Sequence, residues 1–219
     1  FETKSFNFDR SQMENLRSNI DFVVEKDSKT GTKNFKSRIG RDNYLYTEDR
    51  AMDWKILPET AKIGDYKTQK AETNFAGRTW FAWFTTDIPF QDGPYKFHGL
   101  PGLIVKVTDD GNNYSWELKG NRKIENFKET TYIESVSPGG DGGKVLEVSR
   151  EKFERTFSDF KKDPMATARP YLTAELMAQK LPGSDLTIGQ MMKQQEKMLN
   201  DFFNANDNPI EIPAAKAKK

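Results

Sequence analysis

Apolar residues recur with period two along the first two thirds of this chain, and past residue 148 they recur with the period of a helix. Phe6 and Phe8 alternate with polar neighbours, Phe22-Val23-Val24 is a short apolar run, and Tyr44 and Tyr46 alternate in DNYLYTE. Aromatic and β-branched residues at this spacing suit the pleat of a half-buried strand. Between these runs KDSKTGTKN and RIGRD, polar and glycine-containing, predict turns. Residues 11–20, SQMENLRSNI, fit either a helical turn or a loop. Residues 65–86 predict two strands joined near Phe75-Ala76-Gly77-Arg78. On the second, Trp80, Ala82 and Phe84 share one face while Phe81, Trp83 and Thr85 share the other. Large aromatics on both faces imply a strand covered on both sides, or one with a side facing a pocket. The clearest hairpin follows, with Leu103, Val105 and Val107 on one face and Ile104, Lys106 and Thr108 on the other. Its turn is DDGNN, and Tyr114, Trp116 and Leu118 alternate on the return arm.

The period then changes. SPGGDGG, residues 137–143, predicts a flexible break, and Ser149 is placed to cap a helix carrying Phe153, Phe157 and Phe160 and ending before Pro164. A short helix is expected from about Thr173 to Leu181, stopped by Pro182-Gly183. A longer one carries Ile188, Met191, Met192, Gln195, Met198, Leu199, Phe202 and Phe203 as a stripe expected to pack on the sheet, with Thr187 and Gln190 spaced as a capping box. The resulting expectation is an α+β fold: a curved antiparallel sheet, as a meander or half-barrel, with C-terminal helices packed on it. Residues 1–148 would form the sheet region, 149–204 the helical region and 205–219 a polar tail, all within one structural domain.

Composition narrows the chemistry. Aromatics reach 12% of the 219 residues, enough large side chains to build a core and to argue against disorder. The net charge of +1, from 34 basic and 33 acidic residues, gives no general pull on nucleic acid or an anionic membrane, so no nucleic-acid partner is expected. With no cysteine and a single histidine, His98, the chain has neither a thiol nucleophile nor a multi-His or thiolate metal site. No metal or cofactor is expected. DDGNN lacks the spacing and the downstream Glu of a calcium loop, and GGDGG lacks the Lys-Ser/Thr of a phosphate loop. His98 has no adjacent acid in sequence to orient it, and a lone His in a Gly/Pro loop is more often a surface residue than a base. No stretch of about 18 apolar residues is present, so no transmembrane helix is expected. A start at Phe1 suits a removed signal peptide, and equally a trimmed chain.

One stretch stands apart: GPYKFHGLPGLIVKVT, residues 93–108, sets Pro94 and Pro101 among Gly93, Gly99 and Gly102 immediately before a strand. With its surroundings, AETNFAGRTWFAWFTTDIPFQDGPYKFHGLPGLIVKVTDD, it resembles the signature of the GLPGLI family, named for the six residues Gly99, Leu100, Pro101, Gly102, Leu103 and Ile104. Trp54-Lys55-Ile56, Ile63-Gly64-Asp65-Tyr66, Gly77-Arg78, Ala82-Trp83, Asp87-Ile88-Pro89 and Gly93-Pro94 follow in the order that family shows, and the resemblance covers about residues 44–120. Thr68 departs from it, standing where many members carry Cys. The resemblance implies an exported Bacteroidetes protein with a signal peptide and no defined biochemical function, and it supplies no catalytic residues.

The resulting expectation is a non-catalytic, exported, periplasmic protein. It would serve as an accessory or interaction subunit of an outer-membrane transport or secretion assembly and have an outer-membrane or periplasmic protein as partner. The alternative is a periplasmic carrier holding a hydrophobic ligand, a lipid or lipopeptide, in a curved-sheet cavity. A hydrolase built on carboxylates alone ranks third. The candidate contact residues are Arg78, Trp80, Trp83, Asp87, Pro89, Pro94, Tyr95 and His98, while Gly99 to Ile104 form a structural entry into the strand.

Overall fold

The computed structural model describes residues 22–122, 124–125 and 144–213. The expectations for Phe6, Phe8, residues 11–20 and the glycine-rich break at 137–143 lie outside these. The described strands form two sheets where one was expected, and neither closes into a barrel. The smaller holds β1 (Phe22–Lys26), β2 (Lys33–Ile39) and β3 (Asp42–Thr47) as an antiparallel meander, with β9 (Val145–Glu147) added parallel to β3. The larger is an antiparallel meander of β4 (Lys55–Ile63), β5 (Tyr66–Phe75), β6 (Arg78–Thr85), β7 (Leu103–Asp109) and β8 (Ser115–Glu117). Helices follow, and the fold is α+β.

Local chemistry explains the larger sheet. The β5–β6 turn is two residues, Ala76 and Gly77, both at positive φ (51° and 81°), which matches the twist of the flanking strands. Ala71, Phe75, Trp80, Ala82 and Phe84 consequently share the buried face. On β7 simple alternation fails. Trp83 pairs with Lys106 but Phe84 pairs with Ile104, so Val105 is an extra residue in a bulge. Ile104, Val105 and Val107 are therefore all buried, although the sequence pattern put Ile104 with Lys106 and Thr108. Phe97 and Leu100, from the loop between β6 and β7, complete the core of this sheet.

Helix α1 (Arg150–Lys162) begins at Ser149, whose side chain accepts from the Lys152 N–H, and it stops before Pro164. Its Phe153 packs on Phe35 and Tyr46 of the smaller sheet. Helix α2 (Ala174–Ala178) is shorter than its sequence suggests. Helix α3 (Ile188–Ala205) starts with the expected Thr187–Gln190 capping box. Its Phe203 meets Phe157 and Phe160 of α1, so α3 reaches the smaller sheet through another helix. Part of its apolar stripe stays in solvent: Met198 is 61% and Phe202 43% exposed.

Residues 208–212, which the sequence pattern assigns to a polar tail, form a docked strap. Ile210 is buried in the core of the larger sheet, and the Ile212 N–H donates to the Ala76 carbonyl. Arg78 holds the strap from below: its guanidinium donates to the Pro209 carbonyl (2.7 Å), the Ile210 carbonyl (3.0 Å) and the Asn208 side chain, and pairs with buried Asp109 at 2.8 Å. Tyr114 covers that guanidinium at 5.2 Å.

Candidate functional site

The loop between β6 and β7 folds back on itself. Backbone bonds run from the Leu103 N–H to the Ile88 carbonyl and from the Ile104 N–H to the Asp92 carbonyl, and Asp92 bridges to His98. Its central side chains then alternate in direction. Phe97 enters the core at 0% exposure, edge-on to Trp80, while Lys96 is buried on the side of the smaller sheet. Tyr95 is half-buried and holds φ at +51°, a left-handed conformation that a bulky residue adopts at a cost of about 1–3 kcal/mol. Two contacts hold it there. Its hydroxyl donates to Glu211 of the strap at 2.6 Å, and its ring lies parallel to that of Trp116.

Lys96 ties the two sheets and the strap together. Its ammonium donates to the Tyr46 hydroxyl (2.7 Å), Glu48 (2.6 Å) and Glu211 (2.6 Å), inside a box formed by the rings of Phe35, Tyr46 and Tyr95. Arg50 grips Glu48 with two nitrogens and reaches Glu211 as well. Burial alone would raise the Glu48 carboxyl, but the Arg50 hydrogen bonds and the Lys96 charge outweigh it and bring its pKa down from 4.5 to about 2. Glu211 is lowered by the same two cations against its own burial. A depressed carboxyl stabilises the fold above its unfolded pKa, and that stability is lost as pH falls through the folded value. For Glu48 the linkage amounts to about 3 kcal/mol. The urea midpoint should therefore fall as pH drops from about 5 towards 2, and Glu48→Gln should flatten that slope. An unchanged slope in Glu48→Gln would assign the linkage to other groups.

A cleft of about 420 Å³ opens where β1 approaches this loop and β8. Phe22, Val24 and Lys26 form one wall, Asp92, Gly93 and Tyr95 the second, and Trp116 the third. The Lys26 ammonium crosses it to donate to Asp92 Oδ1 (2.6 Å) and to the carbonyls of Gly93 (2.5 Å) and Phe97 (3.1 Å).

The structure separates the sequence-derived candidates. Tyr95 is in the cleft and Pro94 is in the adjoining loop, whereas Asp87 and Pro89 are exposed on the loop's approach. His98 is half-buried with Nδ1 3.0 Å from the Lys96 carbonyl, and burial lowers its pKa. Arg78 is the buried strap clamp, and Trp80 is core at 1% exposure, so neither presents a contact surface. Trp83 is on the outer face of the larger sheet beside Phe81, with the Lys70 ammonium 4.7 Å above Phe81 and 5.9 Å above Trp83. Within the hexapeptide Leu100, Gly102 and Ile104 are buried, Leu103 is half-buried, and Gly99 and Pro101 are exposed. Lys26, Asp92 and Trp116 were not among the candidates. For Trp116 the signal was present, since it alternates with Tyr114 on the hairpin's return arm.

Comparison with known proteins bears on fold and family. No curated protein matches this chain. Solved structures of PNGF-II in two crystal forms superpose with TM-scores of 0.50 and 0.46, at 18% and 16% identity. Each match covers 70% of this chain and 28% of the PNGF-II chain, so this chain spans little more than a quarter of that protein. Identity this low makes the first a likeness of fold. Residues 74–106, which include the hexapeptide, match the family model described as "Protein of unknown function (Porph_ging)".

Proposed function

We propose that this chain is a non-catalytic binding module of an exported, periplasmic protein, and that the cleft and the loop beside it form its recognition face. The observation that carries this reading is Tyr95. A bulky residue is kept in a left-handed conformation at the mouth of an open cleft, and the strap and Trp116 hold it there. Strain of this kind persists where the surroundings over-determine it, and it clusters at ligand clamps. The carboxylates nearest the cleft are engaged as ion-pair acceptors: Asp92 by Lys26, and Glu48 and Glu211 by Lys96 and Arg50. That arrangement suits a scaffold better than acid–base chemistry.

The resemblance to GLPGLI proteins supports export, and an accessory subunit of an outer-membrane transport or secretion assembly follows as the role. The carrier alternative draws less support. Trp80 and Phe84 pack in the core, while Phe81 and Trp83 lie on the outer face under Lys70. Pull-down from solubilised outer membranes should recover a stoichiometric protein partner with the wild-type chain. Asp87→Lys, on the exposed approach, should reduce that recovery about tenfold with an unchanged melting temperature. Recovery of no partner by the wild-type chain would count against the reading.

A further inference from the structure

The cleft's own chemistry narrows what it takes. We infer that it binds a saccharide, a neutral polyhydroxylated ring seated against Trp116 and Tyr95. This rests on the cleft being the recognition face.

Three observations lead there. First, two of the three aromatic side chains lining the cleft are parallel, while the third, Phe22, stands edge-on to Tyr95 at 64°. The Tyr95 and Trp116 planes lie within 2° of each other with centroids 6.1 Å apart, and Tyr114 continues the set at 12° and 6.0 Å. All three residues are half-buried, Tyr95 and Trp116 in the cleft wall and Tyr114 beside it. A pyranose presents polarised C–H bonds on one face, which stack on the negative face of an aromatic ring, and hydroxyls around its edge.

Second, the charge in the cleft is balanced and the ammonium is already saturated. Lys26 has three hydrogens and three acceptors, so it has no donor left for a phosphate or carboxylate. Asp92 is neutralised by Lys26, which removes most of the pull on a cation. Its Oδ2, however, accepts no hydrogen bond from the described residues, and the side chain is 32% exposed. That oxygen is an acceptor placed for a ligand hydroxyl. A purely apolar chain would instead desolvate the Lys26–Asp92 pair and give nothing in return.

Third, 420 Å³ lies within the range of about 300–1,000 Å³ typical of small-molecule sites, and the walls combine Phe22, Tyr95 and Trp116 with the Lys26–Asp92 pair, polar and apolar surface in similar amounts. It suits a short oligosaccharide.

The test uses the four tryptophan indole N–H signals of the ¹⁵N-labelled chain. Maltotriose, cellotriose, xylotriose, mannotriose and chitotriose are titrated separately at millimolar concentration. At least one should shift the Trp116 indole saturably while the Trp83 indole stays in place. Trp116→Ala should weaken that binding about tenfold or more, and Asp92→Asn should weaken it several-fold by replacing the open acceptor. The wild-type shift decides the matter even where Trp116→Ala fails to fold. A Trp116 signal unmoved through the whole panel overturns the assignment, as does binding lost in Trp83→Ala and kept in Trp116→Ala. If only a membrane protein partner perturbs Trp116, the cleft is the recognition face and the saccharide is wrong. If a saccharide binds and no partner is recovered, the accessory role fails and this assignment stands.

Discussion

Replacing Lys96 by Met should lower the stability of this protein by about 3–5 kcal/mol, the usual loss when one partner of a buried ion pair is removed. In a chain of this size that corresponds to a fall in melting temperature of roughly 10 °C. Met keeps the length of the lysine stem, and its thioether packs against rings, so the box of Phe35, Tyr46 and Tyr95 stays filled. What disappears is the charge. The side chain of Glu48 is 2% exposed, and it would keep its hydrogen bonds from Arg50 and the Arg150 guanidinium at 4.0 Å, while Glu211 would keep Arg50 and the Tyr95 hydroxyl. The Arg50 guanidinium would then hydrogen-bond both carboxylates, with Arg150 at the edge of ion-pair range of Glu48. Adding Glu48→Gln to Lys96→Met should recover part of the loss, because it removes the carboxylate left in excess. Thermal melts of the single and double variants check this. A single variant as stable as the wild type would show that the two arginines, Arg50 and Arg150, suffice to neutralise both acids.

Most of the local architecture was legible because it depends on neighbours in sequence. The Ala76-Gly77 turn, the alternation of β6, the Ser149 cap and the Thr187–Gln190 box are each decided within a few residues. What the pattern missed depends on distant partners. Lys96 looks like a surface residue until Glu48, 48 positions earlier, and Glu211, 115 positions later, are brought beside it. Burial of that charge is a tertiary decision that no local period encodes. Division into two sheets is similar, since β9 returns from residue 145 to pair with β3. The strap had a faint signal: Ile210, Glu211 and Ile212 alternate between Pro209 and Pro213, a strand-like pattern overridden by the polar residues around it. For the site, the Gly/Pro loop and Tyr95 were found from sequence, but the cleft's opposite wall on β1 was not. Lys26 and Phe22 reach the loop only because the two sheets face each other there.

Gly102→Ala should have the largest effect of any glycine-to-alanine change among the described residues. A Cβ at Gly102 would lie 2.0 Å from the Thr85 carbonyl oxygen and 2.7 Å from its carbon, at a backbone φ of +154°. Both obstacles are main chain, so no rotamer change relieves them. Thr85 is also where β6 pairs with the first residue of β7, Leu103. Moving it would pull apart the strand junction beneath Leu100 and Ile104, both of which are in the core. A loss of about 4 kcal/mol or more is expected, in the tail reserved for strained backbone and overpacked cores. Gly99→Ala supplies the control. Gly99 also has positive φ, at +88°, but an added Cβ meets nothing within 4 Å. It should lose only the conformational term, about 1–2 kcal/mol. Urea denaturation of the pair separates the two causes. A large gap places the constraint in the contact with β6, whereas equal losses would mean that positive φ, not close approach, fixes glycine at both positions. The first outcome makes the hexapeptide a packing element that sets where β7 begins, and so sets the position of the loop that carries Asp92 and Tyr95 into the cleft.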